Sequence, residues 1–270
     1  MMTVKKVKRY TGKMCLLAVA YNPDCNTSLI VTSNRDEFYR RPTQPMHWWL
    51  ETDILAGRDQ QAGGTWLGLS RNGRFAAVTN FRNIEDFGAP PNKCSSRGEL
   101  VPKFLSSKND ALSWAESEFS NFSSFSGFNL LLYDGKNLVY LNNQGDQIKV
   151  LESGVYALSN NRLDSAWPKV DYAREKLNET ILNKSIDRET LPELLKSLSS
   201  EHRYSQNLLP DTGLPKEMES ILSSPFITSD NYGTRASTAI IISSNGRIHV
   251  AEQGYQKRDL LKLSEFDFQS

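Results

Sequence analysis

Cysteine and histidine are scarce in this chain, at three residues each in 270. Cys15, Cys25 and Cys94 are too few and too scattered for a disulfide framework or a Cys-x-x-Cys zinc site. His47, His202 and His249 show no ligand spacing, so no metal is expected. No stretch approaches the roughly 18 consecutive apolar residues that a membrane-crossing helix needs, which argues against stable membrane insertion. Charge of one sign is also missing: 32 basic residues face 31 acidic ones. Five of the basic residues (Lys5, Lys6, Lys8, Arg9 and Lys13) precede Met14 with no acid among them; removing them takes the formal charge from +1 to −4 for residues 14–270. Such a body has no nucleic-acid footprint. Few cysteines and no anchor fit a reducing, cytoplasmic setting. Internal repeats and low-complexity blocks are absent as well.

The basic stretch followed by the apolar run Met14–Tyr21, with Ala18-Val19-Ala20 placed like a cleavage site, imitates a secretory signal. The run is at the short end for an h-region, and cleavage there would delete Cys15. The expectation is therefore a start at Met14, with residues 1–13 a disordered or mis-assigned extension and 14–270 one domain, a length that buries a single sizeable core.

Cys15 directly follows Met14. If Met14 initiates the chain and is removed, Cys15 carries a free α-amine, and nucleophile and base become one residue. A thiol of pKa about 8.5 and an α-amine of about 7.7–8.0 are then held a few ångströms apart, and a nearby guanidinium favours the thiolate. Residues 15–20 and 27–33 read as two apolar strands joined by Asn22-Pro23-Asp24. That hairpin returns Asn34-Arg35-Asp36-Glu37 to Cys15. Adjacent residues of a strand face opposite ways, so Arg35 and Asp36 can both reach Cys15 only if the strand has ended or bulges there.

Further along, Asn72-Gly73, Asp134-Gly135 and Asn245-Gly246 each separate two apolar runs, which predicts hairpins with type I′ turns. Spacings of three and four predict helices over Gly98–Ser106, Asn109–Phe119, Ser165–Glu179 and Arg188–Leu198. Strands at both ends with helices between them make the chain α+β, dominated by antiparallel sheet. Residues 200–236, with Pro210, Gly213 and Pro215, read as a loop over a pocket. Trp48-Trp49 beside Met46 and His47 reads as an aromatic cluster on a loop, best explained by packing. Gly63-Gly64-Thr65-Trp66 reads as a tight turn that allows close backbone approach, since a strand follows it where a phosphate loop would have a helix.

Met-Cys-Leu-Leu, Ser33-Asn34-Arg35-Asp36-Glu37-Phe38, Gly63–Gly68, Val78–Arg82, Ser95–Gly98, Leu158-Ser159-Asn160 and Tyr232–Thr238 together resemble the NRDE family, also called the transport-and-Golgi-organisation-two family. The resemblance spans nearly all of 14–270. More distantly, the order of these residues is similar to the choloylglycine-hydrolase and penicillin-acylase branch of N-terminal-nucleophile (Ntn) hydrolases. That similarity implies an αββα sandwich of two antiparallel sheets flanked by helices. It implies Cys15 as nucleophile, Arg35 and Asp36 as holders of its thiolate and amine, Asn80 on the oxyanion side, Asn160 as a polar orienter and Arg235 as a late guanidinium. Asn34, Glu37, Trp66, Arg82 and Arg235 are the expected ligand contacts.

The NRDE family is associated with haem trafficking and with lipid or acyl-coenzyme-A homeostasis. The resemblance thus implies a pocket that binds and carries a small hydrophobic anion, with haem among the cargoes, His47 or Met46 as its axial ligand, and no required cofactor. The alternative is an N-terminal-cysteine amidohydrolase that cleaves a linear C–N amide.

Overall fold

The computed structural model describes residues 14–82, 95–145, 148–182 and 184–270. The basic extension 1–13 and Cys94 lie outside the described residues.

In chain order the strands are β1 (Met14–Tyr21), β2 (Thr27–Phe38), β3 (Thr43–Trp49), β4 (Ile54–Asp59), β5 (Leu67–Ser70), β6 (Phe75–Asn80), β7 (Phe128–Tyr133), β8 (Leu138–Asn142), β9 (Lys149–Val150), β10 (Gly154–Leu158), β11 (Tyr232–Ser243), β12 (Arg247–Gln256) and β13 (Asp259–Gln269). The helices are α1 (Leu100–Leu105), α2 (Ala111–Glu118), α3 (Pro168–Ile181), α4 (Leu191–Ser197) and α5 (Lys216–Leu222). They build two antiparallel sheets, one ordered β10-β1-β2-β11-β12-β13 and the other β3-β4-β5-β6-β7-β8-β9.

Alternation along β1 assigns its faces. Leu17, Val19 and Tyr21 join Leu29, Val31, Leu131 and Ile240 in the core between the sheets, whereas Leu16, Ala18 and Ala20 pack with Val170, Ala173 and Leu194 of α3 and α4. Helices α1 and α2 cover the outer face of the second sheet through Leu100, Phe104 and Trp114. The result is the four-layer αββα sandwich. Among the described residues no helix is long and apolar enough to cross a membrane.

Several local expectations are corrected. Strand β2 does not stop at Ser33 but runs through the polar stretch to Phe38, because its backbone pairs with β1 as far as Asp36 and with β11 as far as Phe38. In the three Asn-Gly or Asp-Gly hairpins only the glycine takes positive φ, at Gly73, Gly135 and Gly246, so the turns are not type I′. Residues 200–236 contain α5 and the start of β11. The aromatic cluster lies on β3: Met46 is buried in the inter-sheet core, His47 Nδ1 lies 2.8 Å from the Pro45 carbonyl, and Trp48 packs edge-on against Phe268 under the Arg71 guanidinium. These side chains pack against the sheet and its neighbours.

The tight turn allows a close approach. A Cβ at Gly64 would lie 2.6 Å from the carbonyl carbon of Gly98, and Thr65 N–H donates to that carbonyl at 3.0 Å. Backbone on both sides leaves nothing flexible to yield. Gly64→Ala should therefore destabilise the fold by about 1–3 kcal/mol, read as a lower urea midpoint with an unchanged denaturant slope.

Candidate functional site

Strand pairing puts Met14 opposite Asp36 and Cys15 opposite Arg35. Cys15 and Arg35 share the inter-sheet face, and Met14 and Asp36 share the face toward α3 and α5. Because β2 neither ends nor bulges here, Arg35 and Asp36 point opposite ways, and only Arg35 lies on the thiol's side.

On that inner face Cys15 is 3% exposed and Arg35 is 7% exposed. Two guanidinium nitrogens of Arg35 have no hydrogen-bond partner, and Glu37 lies 3.7 Å away. Glu37 also accepts from the Phe38 N–H at 2.9 Å and faces Arg41 at 3.5 Å; Arg41 in turn pairs with Asp59 at 2.7 Å. This chain of charges ties β2 to β4, so Glu37 braces the fold. Arg235 is the extra residue of a bulge between Thr234 and Ala236, inside β11. Its guanidinium donates to the carbonyls of Phe38, Tyr39 and Arg41 at 3.1–3.3 Å, clamping the end of β2.

On the outer face, Asp36 Oδ1 accepts from the Thr234 hydroxyl at 2.7 Å, and its buried Oδ2 has no hydrogen-bond partner. Facing it is Lys169, 3% exposed, whose Nζ donates to the Leu222 carbonyl at 2.9 Å. Burial pushes the Asp36 carboxyl up to about 7 despite the opposing charge of Lys169. Burial, and then Arg82 nearby, bring the Lys169 amine down to about 8. Two groups poised near neutrality in one enclosed site mark it as a functional candidate. Asn34 also faces outward, but its Nδ2 donates to the carbonyls of Leu198 and Pro225 and its Oδ1 accepts from Ser237. It anchors the end of α4 and the approach to β11, so its polar atoms are used internally and not presented to a ligand.

The remaining expected residues close the end of the sandwich. Asn160, just past β10, donates to the carbonyl of Asn80, the last residue of β6, at 2.9 Å. The Ser159 hydroxyl donates to the Cys15 carbonyl at 2.9 Å, and the Arg82 N–H donates to the Asn160 carbonyl at 2.7 Å. Arg82 Nη1 pairs with Glu219 of α5 at 2.7 Å, and its guanidinium lies over Trp167. The half-buried Trp66 packs against both the inter-sheet core and the core under α1 and α2. Met14 fills an apolar slot made with Leu222, Ile227 and Tyr232; its backbone N–H donates to the Tyr232 hydroxyl and its sulfur lies 2.9 Å from Arg82 Nη2. Beside it opens a narrow cleft of about 10 Å³, partly open to solvent, lined by Arg82, Trp167, Lys169, Leu209, Glu219 and Leu222. That is small against the roughly 300–1,000 Å³ of ligand pockets. Among the described residues no cluster of three or more metal-ligating side chains occurs.

Sequence reasoning missed Lys169, Glu219, Tyr232 and Ser159. Lys169 did leave a signal: it lies four residues before Ala173 and eight before Leu177, on the buried stripe of α3, where a charge needs a reason.

Two antiparallel sheets packed face to face with helices outside, and a cysteine at the start of β1, give an Ntn-hydrolase-like fold. The chain superposes on a conjugated bile acid hydrolase from Clostridium perfringens with a TM-score of 0.51, over 94% of this chain and 92% of that one, at 10% sequence identity. The sequence of residues 14–257 matches the family described as Transport and Golgi organisation 2, and the chain belongs to that family. A Transport and Golgi organization 2 homolog from Mus musculus is 30% identical, over 95% of this chain and all of the mouse protein. The Bos taurus homolog is 31% identical over 89% of this chain and 92% of its own length.

Proposed function

We propose that the working chain begins at Cys15 and binds a small hydrophobic anion at this end of the sandwich, as a cytoplasmic carrier of a cargo such as haem or an acyl-coenzyme A. The observation that carries this reading is the seat of Met14. Its side chain occupies an apolar slot of Leu222, Ile227 and Tyr232 bordered by Arg82 and Lys169, next to the cleft. Removing Met14 would join slot and cleft, giving apolar walls for a tail, with Lys169 and the Glu219-paired Arg82 beside the head group. The turnover geometry is weaker: Asp36 and Arg35 face apart, the Asn160 amide donates to Asn80, and Arg235 clamps β2.

A second reading is favoured by one observation: Asp36 Oδ2 is unpartnered where a Cys15 α-amine would emerge, and Arg35 is the cross-strand partner of Cys15. With those groups an N-terminal-cysteine amidohydrolase would form an acyl-thioester at Cys15 and release it to water.

The test titrates haem and a long-chain acyl-coenzyme A against the chain beginning at Cys15, with an amide-substrate screen in parallel. Cys15→Ala should retain binding. Arg82→Gln should weaken it by about 1.5–3 kcal/mol, the cost of a lost charge-assisted hydrogen bond, and a chain retaining Met14 should bind at least tenfold more weakly. Absence of binding together with Cys15-dependent amide cleavage would overturn the carrier in favour of the hydrolase. Intact mass of the protein from its native locus should correspond to residues 15–270; a retained Met14 would refute the start.

A further inference from the structure

Among the described residues 201–221, which border the Met14 slot and the cleft, Glu219 of α5 is the only one that is buried. The apolar side chains Leu214, Met218 and Ile221 lie half-buried against the cluster of Met14, Leu222, Ile227 and Tyr232. A segment is ordinarily held down by buried apolar side chains, and one without them opens more easily than the core beneath it. Here the attachment is polar. Arg82 donates to Glu219 Oε2 at 2.7 Å and to the Thr212 hydroxyl at 3.0 Å, and that hydroxyl donates in turn to Glu219 Oε1. Both side chains of the ion pair are 6% exposed. Removing one partner at such depth strands the charge of the other. The same two residues line the cleft, whose volume of about 10 Å³ is that of a single water. No head group fits beside Arg82 while Glu219 occupies it.

We propose that Glu219 is a built-in counterpart of the ligand's anionic head group: it occupies Arg82, holds 201–221 closed, and gives way when a carboxylate or phosphate of the ligand takes its place. The exchange conserves charge at the guanidinium. One anion leaves as another arrives, and the freed Glu219 carboxylate regains its hydration as α5 swings into water. The moving piece is bounded on one side by Gly213, at φ +78°, and on the other by the Leu222 carbonyl, which accepts from Lys169 Nζ at 2.9 Å. A glycine in that conformation turns without strain, and the lysine tie keeps the far end of α5 in place. Head-group selection follows, because an anion can exchange with Glu219 and a neutral apolar molecule cannot.

This exchange rests on the ligand-binding reading above, and the experiment separates the two. Hydrogen exchange of the full chain, with nothing added, tests the closure alone. Glu219→Gln should speed exchange of the 212–221 amides roughly tenfold or more, the effect of losing one charge-assisted hydrogen bond, and leave β1 and α3 unchanged. Thr212→Val removes only the shared hydroxyl and should speed the same amides about fivefold, which keeps the test open if Glu219→Gln fails to fold. Rates within about twofold of wild type in either folded variant would refute the closure. Palmitoyl-coenzyme A and haem are then titrated separately against the chain beginning at Cys15, with decanol as a neutral control. Glu219→Gln should bind the anions roughly tenfold more tightly than wild type and gain nothing with decanol. A gain confined to one anion supports the exchange and assigns the head group, phosphate for the coenzyme or carboxylate for haem. If wild type binds and Glu219→Gln binds no more tightly, the pair merely braces the fold; the exchange is then wrong and the carrier stands. Failure of both chains to bind either anion would overturn the carrier reading and the exchange together.

Discussion

Replacing Asn34 with Ala is expected to cost the fold on the order of 3–5 kcal/mol, the largest single-residue effect at this end of the sandwich. Asn34 is fully buried and donates to the Leu198 and Pro225 carbonyls, both at 2.9 Å, while accepting from Ser237 at 2.6 Å. Alanine strands two carbonyls and a hydroxyl in a dry interior, and each orphan costs about 1–3 kcal/mol. The damage should be local as well as global, because Leu198 ends α4 and Pro225 leads toward β11. Urea denaturation measures the total, and hydrogen exchange should show early opening around 198–200 and 225–227. A loss below about 1 kcal/mol, accompanied by a fall in ligand affinity, would return Asn34 to the ligand contacts.

Stability is expected to fall as pH rises from about 4 to 7 and to recover above about 8, the reverse of the usual optimum near neutrality. The sign follows from both buried groups. Asp36, pushed up to about 7, binds its proton more tightly folded than unfolded; the stability this confers is full below about 4 and is lost as pH rises through 7. Lys169, brought down to about 8, binds its proton less tightly folded than unfolded. Its contribution is full above about 10.4 and is lost as pH falls through 8. The minimum therefore lies between 7 and 8, and the swing amounts to a few kcal/mol. Denaturant midpoints from pH 4.5 to 9.5 measure it. Asp36→Asn should shrink the acid limb and leave the alkaline rise, the remaining limb belonging to Glu252, whose carboxyl burial also pushes up; a variant with the same acid limb as wild type would assign all of it to other groups.

Legibility differed by level. The β1–β2 hairpin and the helices α1 to α4 could be read because period-2 and period-3.6 patterns record which face is buried. The extent of β2 could not. Asn34-Arg35-Asp36-Glu37 reads as a strand end because four polar residues rarely lie inside a sandwich, and only the pairing of β2 with β1 and β11 carries the backbone ladder through them. Arg235 misled for the same reason: a bulge is invisible until β11 is laid against β2.

By itself, the sequence determined a mixed α+β chain with antiparallel pairing, the Met14–Cys15 junction and the grouping of Cys15 with the Asn34–Glu37 stretch through one short hairpin. Those follow from local pattern and covalent order. Tertiary structure alone decided that Arg35 and Asp36 serve different faces, that Met14 fills the slot beside the cleft, and that Lys169, more than 130 residues from Asp36 in the chain, faces it in the fold. Charges that meet across a sandwich leave no periodic trace in the chain, because their partnership is set by sheet register and helix docking.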